Sequence, residues 1–245
     1  MGTCIYVTGD VHGELGIRKF NQQNLGKFLN NKNDNYIIVA GDFGLVFSTD
    51  PNNKVEKYWL DWLEKKPFKV LFVDGNHENF DRLYSNEFRQ ERNWKGGSVS
   101  FIRDNVIWLH RGQVFDIDGY KIFTMGGATS IDKACRKPGI SWWPQENISD
   151  KDLKIAQINL QKHDYKVDAV ITHAAPLYYA QAIFPEESYH ALDINEMHLE
   201  DIRLNIKYRH WFCGHYHIED YVLHPFDKNI SFKCLYFTIF QIYER

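Results

Sequence analysis

Five apolar runs in this chain each end on a residue that can hold a metal ion, and that repetition limits the fold more than any other feature. Residues 70–73 run into Asp74-Gly75-Asn76-His77-Glu78, and 5–8 into Gly9-Asp10-Val11-His12. Residues 36–40 run into Gly41-Asp42, 169–172 into His173, and 210–213 into Gly214-His215-Tyr216-His217. A hydrophobic strand that enters a tight turn delivers its polar side chains to one edge of a sheet. In open parallel sheets, ligands sit beyond the carboxyl ends of the strands, where all of these residues fall.

The order of elements agrees. Strands at 3–8, 36–40 and 69–73 alternate with expected helices at 16–29 and 54–65, and a short helix is expected over 79–84. Phe20 and Leu25 face inward in the first helix, and Pro67 stops the second, because proline cannot continue the hydrogen-bond ladder. This β-α-β-α-β opening predicts a parallel sheet covered by helices. The middle changes period: 106–109, 113–117 and 121–125 read as short strands, with Asp118-Gly119 as a hairpin turn between the last two. From Gly126-Gly127 to Ser149 no period is visible, and long irregular stretches inside compact domains are often functional. A helix follows over 149–163, with Ser149 as N-cap and Asp152 at its third position. A strand at 168–172, an amphipathic helix at 195–207, and strands at 210–213, 221–224 and 232–243 complete the chain, while 177–190 fits no single element. No repeat, low-complexity segment or linker interrupts residues 1–245, so a single domain is expected.

At 245 residues the chain buries enough apolar surface to fold without a staple. The net charge of −3 argues against a broad basic footprint for duplex DNA. Cys4, Cys135, Cys213 and Cys234 form no CxxC pair, which excludes a zinc ribbon or a dithiol redox motif. The chain opens on no signal peptide and contains no apolar run of the ~20 residues that span a bilayer, so no membrane partner and a cytoplasmic location are expected.

Asp10, His12, Asp42, Asn76, His173, His215 and His217 are a mixed oxygen and nitrogen set. Such donors suit Mn, Fe, Zn, Co or Ni better than copper(I) or an iron–sulfur cluster, which want thiolate. Seven are too many for one tetrahedral site and fit two divalent metals that share a carboxylate. Two metals ~3.5–4 Å apart can hold a bridging hydroxide as nucleophile and clamp phosphoryl oxygens through in-line displacement. His77, next to Asn76, is placed to protonate a departing alkoxide. Each motif alone is weak, since a lone histidine at a strand end is more often structural and Gly-Asp is usually a turn. Five in this order are not.

Taken together, Asp10-x-His12, Gly41-Asp42, Gly75-Asn76-His77-Glu78, His173 and Gly214-His215-x-His217 resemble the blocks of the calcineurin-like metallophosphoesterases, in particular the small bacterial and phage members, and the resemblance spans residues 10–217. It implies a four-layer α/β/β/α sandwich of two mixed sheets flanked by helices. It also implies two divalent metals, with manganese the expected pair. Asp10, His12 and His217 would hold the first, Asn76, His173 and His215 the second, with Asp42 between them and His77 as general acid or transition-state donor. A carboxylate would orient His77, and the spacing leaves both Asp74 and Glu78 as candidates. The family's protein phosphatases and diadenosine-tetraphosphate hydrolases carry GDxxDRG in the second block and an arginine after GNHE. Here the second block is Gly41-Asp42-Phe43-Gly44-Leu45-Val46, and Asn79 follows Glu78, so those clamping arginines are missing.

The segment 126–143, with its Gly126-Gly127-Ala128 start, is the candidate for substrate recognition: Arg136 can grip a phosphate bidentately, and Trp142 or Trp143 can stack on a base. The bland reading makes Trp142-Trp143-Pro144 a packed anchor. Arg18, Arg82 and Arg103 are weaker candidates, and His110, His163, His190, His198 and His224 are read as structural or surface residues. The expected activity is hydrolysis of a nucleotide or nucleic-acid phosphodiester. A phosphomonoesterase acting on a metabolite or phosphoprotein is the alternative, and a non-catalytic metal-binding scaffold the third reading.

Overall fold

Runs that are apolar at every position need both faces of their sheet covered. The computed structural model, which describes residues 2–26, 29, 34–185, 193–223 and 227–245, covers them with four layers. In the first sheet, β1 (Thr3–Thr8), β2 (Asp34–Val39), β3 (Lys69–Phe72) and β6 (Val106–Leu109) are parallel. Antiparallel β5 (Gly97–Arg103) and β4 (Arg92–Trp94) extend it beyond β6, and β13 (Ile239–Glu244) pairs antiparallel with β1. In the second sheet, β8 (Tyr120–Met125), β9 (Ala169–Thr172), β10 (His210–Cys213) and β12 (Ser231–Cys234) are parallel, with β7 (Gln113–Ile117) and β11 (Asp220–Leu223) antiparallel at its edges.

The period-2 alternation of strands sorts the side chains into three cores. Cys4 and Tyr6 of β1 pack with Leu60 and Leu63 of α2 (Lys54–Glu64) on one face of the first sheet. Ile5 and Val7 point the other way, into a core shared with Ile171 and Phe212 of the second sheet. Val170, Trp211 and Phe232 then meet Leu160 of α4 (Asp150–Lys162), Tyr179 of α5 (Leu177–Ile183) and Leu199 of α6 (Ile194–Asn205). The result is the α/β/β/α sandwich that the resemblance implied, built of two mixed sheets. The capping box of α4 forms as expected, with Ser149 accepting from the Asp152 amide.

Two expectations change. The helix over 16–29 is replaced by 3-10 turns at Gly13–Leu15 and Ile17–Phe20 and a single turn α1 (Gln22–Leu25); residues 27 and 28 lie outside the described ones. Asn21 breaks the run, because its side chain caps the new turn by accepting from the Asn24 amide at 2.8 Å. Phe20 and Leu25 are buried all the same. The expected strand 232–243 splits into β12 and β13, which belong to different sheets: Glu219 Oε1 accepts the amides of Tyr236, Phe237 and Thr238 at 3.0, 2.5 and 2.6 Å and turns the chain there. Residues 92–94 and 97–103, for which the sequence set no expectation, form β4 and β5. His190 and His224, and parts of 177–190 and 221–224, lie outside the described residues.

One buried ion pair ties the first sheet to the irregular stretch. Arg111 donates through Nε to Asp74 Oδ2 at 2.8 Å, and Trp108 Nε1 donates to Oδ1 at 3.1 Å. The same guanidinium holds the carbonyls of Asn147 and Gln145 at 2.8 and 3.0 Å. Removing one member of a buried pair strands the other, at a cost of ~3–5 kcal/mol. Arg111→Ala should therefore lose about that much stability in urea unfolding, and a loss under about 1 kcal/mol would show that solvent reaches Asp74.

Candidate metal centre

The ligand-type residues meet where the carboxyl ends of β1, β2 and β3 face those of β9 and β10. Four of the eight non-glycine residues with positive φ among the described residues belong to this set: His12 (50°), Asp42 (46°), His215 (71°) and His217 (54°). Left-handed backbone is uncommon outside glycine and concentrates at functional sites, where the surrounding structure must hold it in place. Here it turns the chain sharply enough to bring one side chain per strand end into a common volume.

Two buried carboxylates organise that volume, each tied to a backbone amide from another element. Asp10 Oδ1 accepts the His215 amide at 3.0 Å, and Asp42 Oδ1 accepts the His77 amide at 2.8 Å. Asp10 Oδ2 is buried with no donor aligned on it, although His217 Nε2 lies 3.0 Å and His12 Nε2 3.6 Å away. His12 Nε2 is 2.8 Å from His217 Nε2 and 3.8 Å from Asp42 Oδ2. One ligand atom from each of Asp10, His12, Asp42 and His217 lies within 4.8 Å of the others. Beside them, His173 Nε2 is 3.2 Å from Asp42 Oδ1 and 3.1 Å from Asn76 Oδ1. Its Nδ1 is committed to the Ala40 carbonyl at 2.8 Å, which leaves Nε2 as the atom that can take a cation. The His215 ring stands 5.0 Å from that of His173.

The glycines of the motifs make this packing fit. A Cβ on Gly75 would fall 2.0 Å from Asp42 Oδ1, and one on Gly214 would fall 2.1 Å from Asp10 Oδ1. Orphaned buried oxygen, converging imidazole nitrogens and Cβ-free cradles fit divalent cations with oxygen and nitrogen preference.

The charges bear this out. Burial pushes the Asp10 carboxyl up, but the nearby His12 and His217 imidazoles outweigh it and hold the group at about 2. Asp42 is likewise held well below the carboxylate range, burial being overcome chiefly by the charge on His173. Burial lowers His173, yet the facing Asp42 and Asp10 raise it to about 10, so without a cation it carries a proton. His215 is lowered to about 4 by burial and by His173. His77 is lowered by burial and by Arg136, against the pull of Asp42.

His77 stands at the mouth of the centre, its ring 5.0 Å from that of His12. Neither residue proposed to orient it does so. Asp74 is engaged by Arg111 and Trp108, and Glu78 Oε1 accepts the amides of Phe43 and Gly44 at 2.7 and 3.3 Å, holding the turn after Asp42. The partner of the His77 ring is Arg136, whose Nη2 is 2.8 Å from Nε2, while its Nε pairs with Asp132 Oδ1 at 2.7 Å. Asp42, Asn76, His77, Arg136, His215 and His217 line a cleft of about 730 Å³, completed by Ile131, Asp132, Phe184, Asp193, Glu196 and Tyr216.

The two tryptophans take different places. Trp143 is buried at 2 % exposure in the first core and donates to Asp81 Oδ2 at 2.8 Å, so it has no face to offer a base. Trp142 is half-buried, with Lys133 Nζ 4.2 Å from its ring centre. Arg82 pairs with Glu56 and Arg103 with Asp61, away from the cleft, and His110 sits between Ser98 and Ser100. Ser130 and Asp132, which touch the site, and Glu146, which holds Ser130, were not singled out by sequence. Their only signal is membership of the irregular 126–149 stretch.

The family profile described as calcineurin-like phosphoesterase matches residues 4–219, most of the chain. None of the curated proteins matches closely enough to count as a relative. Among solved structures, GAP50, the anchor in the inner membrane complex of Plasmodium, is 13 % identical, with 96 % of this chain and 71 % of that one covered and a TM-score of 0.49. The phosphopantetheinyl hydrolase PptH from Mycobacterium tuberculosis is 16 % identical over 96 % of this chain and 89 % of its own, with a TM-score of 0.45. A putative 5'-nucleotidase from Staphylococcus aureus is 15 % identical at a TM-score of 0.45; 96 % of this chain aligns, spanning 48 % of that one. Among the described residues no helix is long and apolar enough to cross a membrane.

A cation entering beside Asn76 must displace the proton on His173, so binding should release protons and tighten with pH. The raised value sets the window: below about 10 the imidazolium competes with the cation. Titration calorimetry of metal-stripped protein with manganese, repeated in buffers of different ionisation enthalpy, should show about one proton released at pH 8. Affinity should rise up to about tenfold per pH unit. Binding that is independent of pH would contradict this placement of His173.

Proposed function

The chain belongs to the calcineurin-like phosphoesterases, metal-dependent hydrolases of phosphoric esters, and we propose that it cleaves phosphodiesters in nucleotides or nucleic acid. In this reading Asp10, His12 and His217 hold one divalent cation, Asn76, His173 and His215 the other, and Asp42 faces both. Bound divalent cations supply positive charge against phosphoryl oxygens and make a water more acidic. Manganese is the assigned metal because hard and borderline donors are mixed and no thiolate joins them. Residues 1–245 act as one domain in a reducing cytoplasm.

The observation that carries the diester reading is the charge of the cleft wall. Arg136 is the only lysine or arginine among the described residues lining it, and Asp193 and Glu196 stand among the same residues. One guanidinium matches the single negative charge of a diester, whereas a monoester dianion asks for more cationic partners. Ile131, Phe184 and Tyr216 give the groups on either side of the phosphate an apolar and aromatic surface. They replace Trp143 as the residues that meet a nucleoside.

Arg136 and His77 act in sequence. As the guanidinium donates to Nε2, His77 is neutral and its Nε2 lone pair is occupied. A phosphate oxygen offers Arg136 a stronger, charge-assisted partner. Its departure frees the His77 Nε2 lone pair to take up a proton from solvent, and the imidazolium so formed can then face the leaving oxygen and pass that proton to it.

With manganese added, bis(p-nitrophenyl) phosphate should be cleaved faster than p-nitrophenyl phosphate, and chelator should abolish both; preference for the monoester would contradict the diester reading. His77→Ala should slow esters of poor leaving groups by roughly 10²–10⁴-fold, the usual worth of general acid catalysis, and nitrophenyl esters much less. Equal losses on both kinds of substrate would assign His77 to positioning.

A further inference from the structure

The 126–149 segment meets the metal centre at a second point besides Arg136. Asn76 donates through Nδ2 to Ser130 Oγ at 3.1 Å, and Ser130 Oγ donates to Glu146 Oε2 at 2.6 Å. Glu146 Oε1 accepts the Ser130 amide at 2.9 Å. All three side chains are buried, Glu146 completely. Its backbone is pinned from both sides, since its carbonyl accepts the Ala128 amide at 3.2 Å and Arg111 Nη2 at 3.2 Å.

A serine hydroxyl has one proton and two lone pairs. Here the proton goes to the carboxylate, so Ser130 offers Asn76 only a lone pair, and only the amide nitrogen can face it. The amide oxygen then points the other way, toward His173 Nε2 at 3.1 Å. The two ends of an asparagine amide have nearly the same shape, and a free side chain can turn either one toward a cation. In this network a flip would set Oδ1 against a Ser130 lone pair and N–H groups against the cation site, unfavourable at both ends of a buried polar chain.

We propose that Ser130 and Glu146 are positioning residues that lock the Asn76 amide with its oxygen toward the second cation. The segment that carries Arg136 thereby also sets the affinity of that site. The proposal rests on the reading of Asn76 as a cation ligand. It makes Ser130 and Glu146 partners of the metal centre that contact no metal, a role in which loss typically weakens metal binding ~10–100-fold.

The test is manganese titration of metal-stripped protein, followed by metal analysis and electron paramagnetic resonance, which separates an exchange-coupled pair from an isolated ion. Wild-type protein should bind two ions and give the coupled spectrum. Ser130→Ala should weaken the second ion ~10–100-fold, so that an isolated-ion signal appears at low manganese, and Ser130→Thr, which keeps the hydroxyl, should restore the coupled form. Glu146→Gln, of the same shape, should fall between them, because it lets the Ser130 proton turn toward Asn76. Asn76→Asp offers an oxygen at either end, so Ser130→Ala should cost little more on that background. Unchanged two-ion binding in Ser130→Ala, or an equal loss with Asp at position 76, would overturn the proposal while leaving Asn76 a ligand. If Asn76→Ala itself binds both ions normally, the premise fails and the proposal with it.

Discussion

Two carboxylates buried side by side set the terms for this molecule. Asp10 and Asp42 are each about 1 % exposed, and uncompensated charges at such depth would cost several kcal/mol apiece. The fold meets that cost in two ways. One oxygen of each group accepts a backbone amide from a different element, His215 for Asp10 and His77 for Asp42. Imidazoles then face the remaining lone pairs: His217 and His12 stand against Asp10 Oδ2, His12 against Asp42 Oδ2, and His173 from the second sheet against Asp42 Oδ1. The Asp10–His215 bond and the His173–Ala40 bond both cross between the sheets, so the centre also fastens the two halves of the sandwich together.

The irregular 126–149 stretch is the third party to this arrangement. It is fixed at its base by the buried Arg111–Asp74 pair, by Trp143 on Asp81, and by Asn195, whose side chain holds the Ile148 amide and Asn147 Oδ1 at 2.8 and 2.9 Å. From that base it reaches the centre through Ser130 and through Arg136. Asp74, one residue from the Gly75-Asn76-His77 turn, is thus a structural anchor whose position in the sequence imitates a catalytic one. Glu78 serves similarly, with its carboxylate spent on the Phe43 and Gly44 amides.

Residues whose placement follows from strand position were legible in the sequence. Each apolar run forms a strand, and Asp10, His12, Asp42, Asn76, His173, His215 and His217 converge because parallel strands present their carboxyl ends together. What stayed hidden depends on long-range pairing. No period marks Ser130 as the partner of Asn76, 54 residues away, or Glu146 as the partner of Ser130. Trp143 could not be told from a stacking platform, since its burial depends on Phe47 and Asp81, which are remote in sequence. Asn21 and Glu219 altered local elements by a cap and a three-amide clamp, interactions that hydrophobic periodicity does not encode.

The most direct test of the whole account is anomalous diffraction from crystals of the manganese-loaded protein. Two peaks are expected, one among Asp10, His12 and His217 and one among Asn76, His173 and His215, with Asp42 in contact with both. A single peak, or two that do not share Asp42, would contradict the claim that two buried carboxylates organise a dinuclear centre.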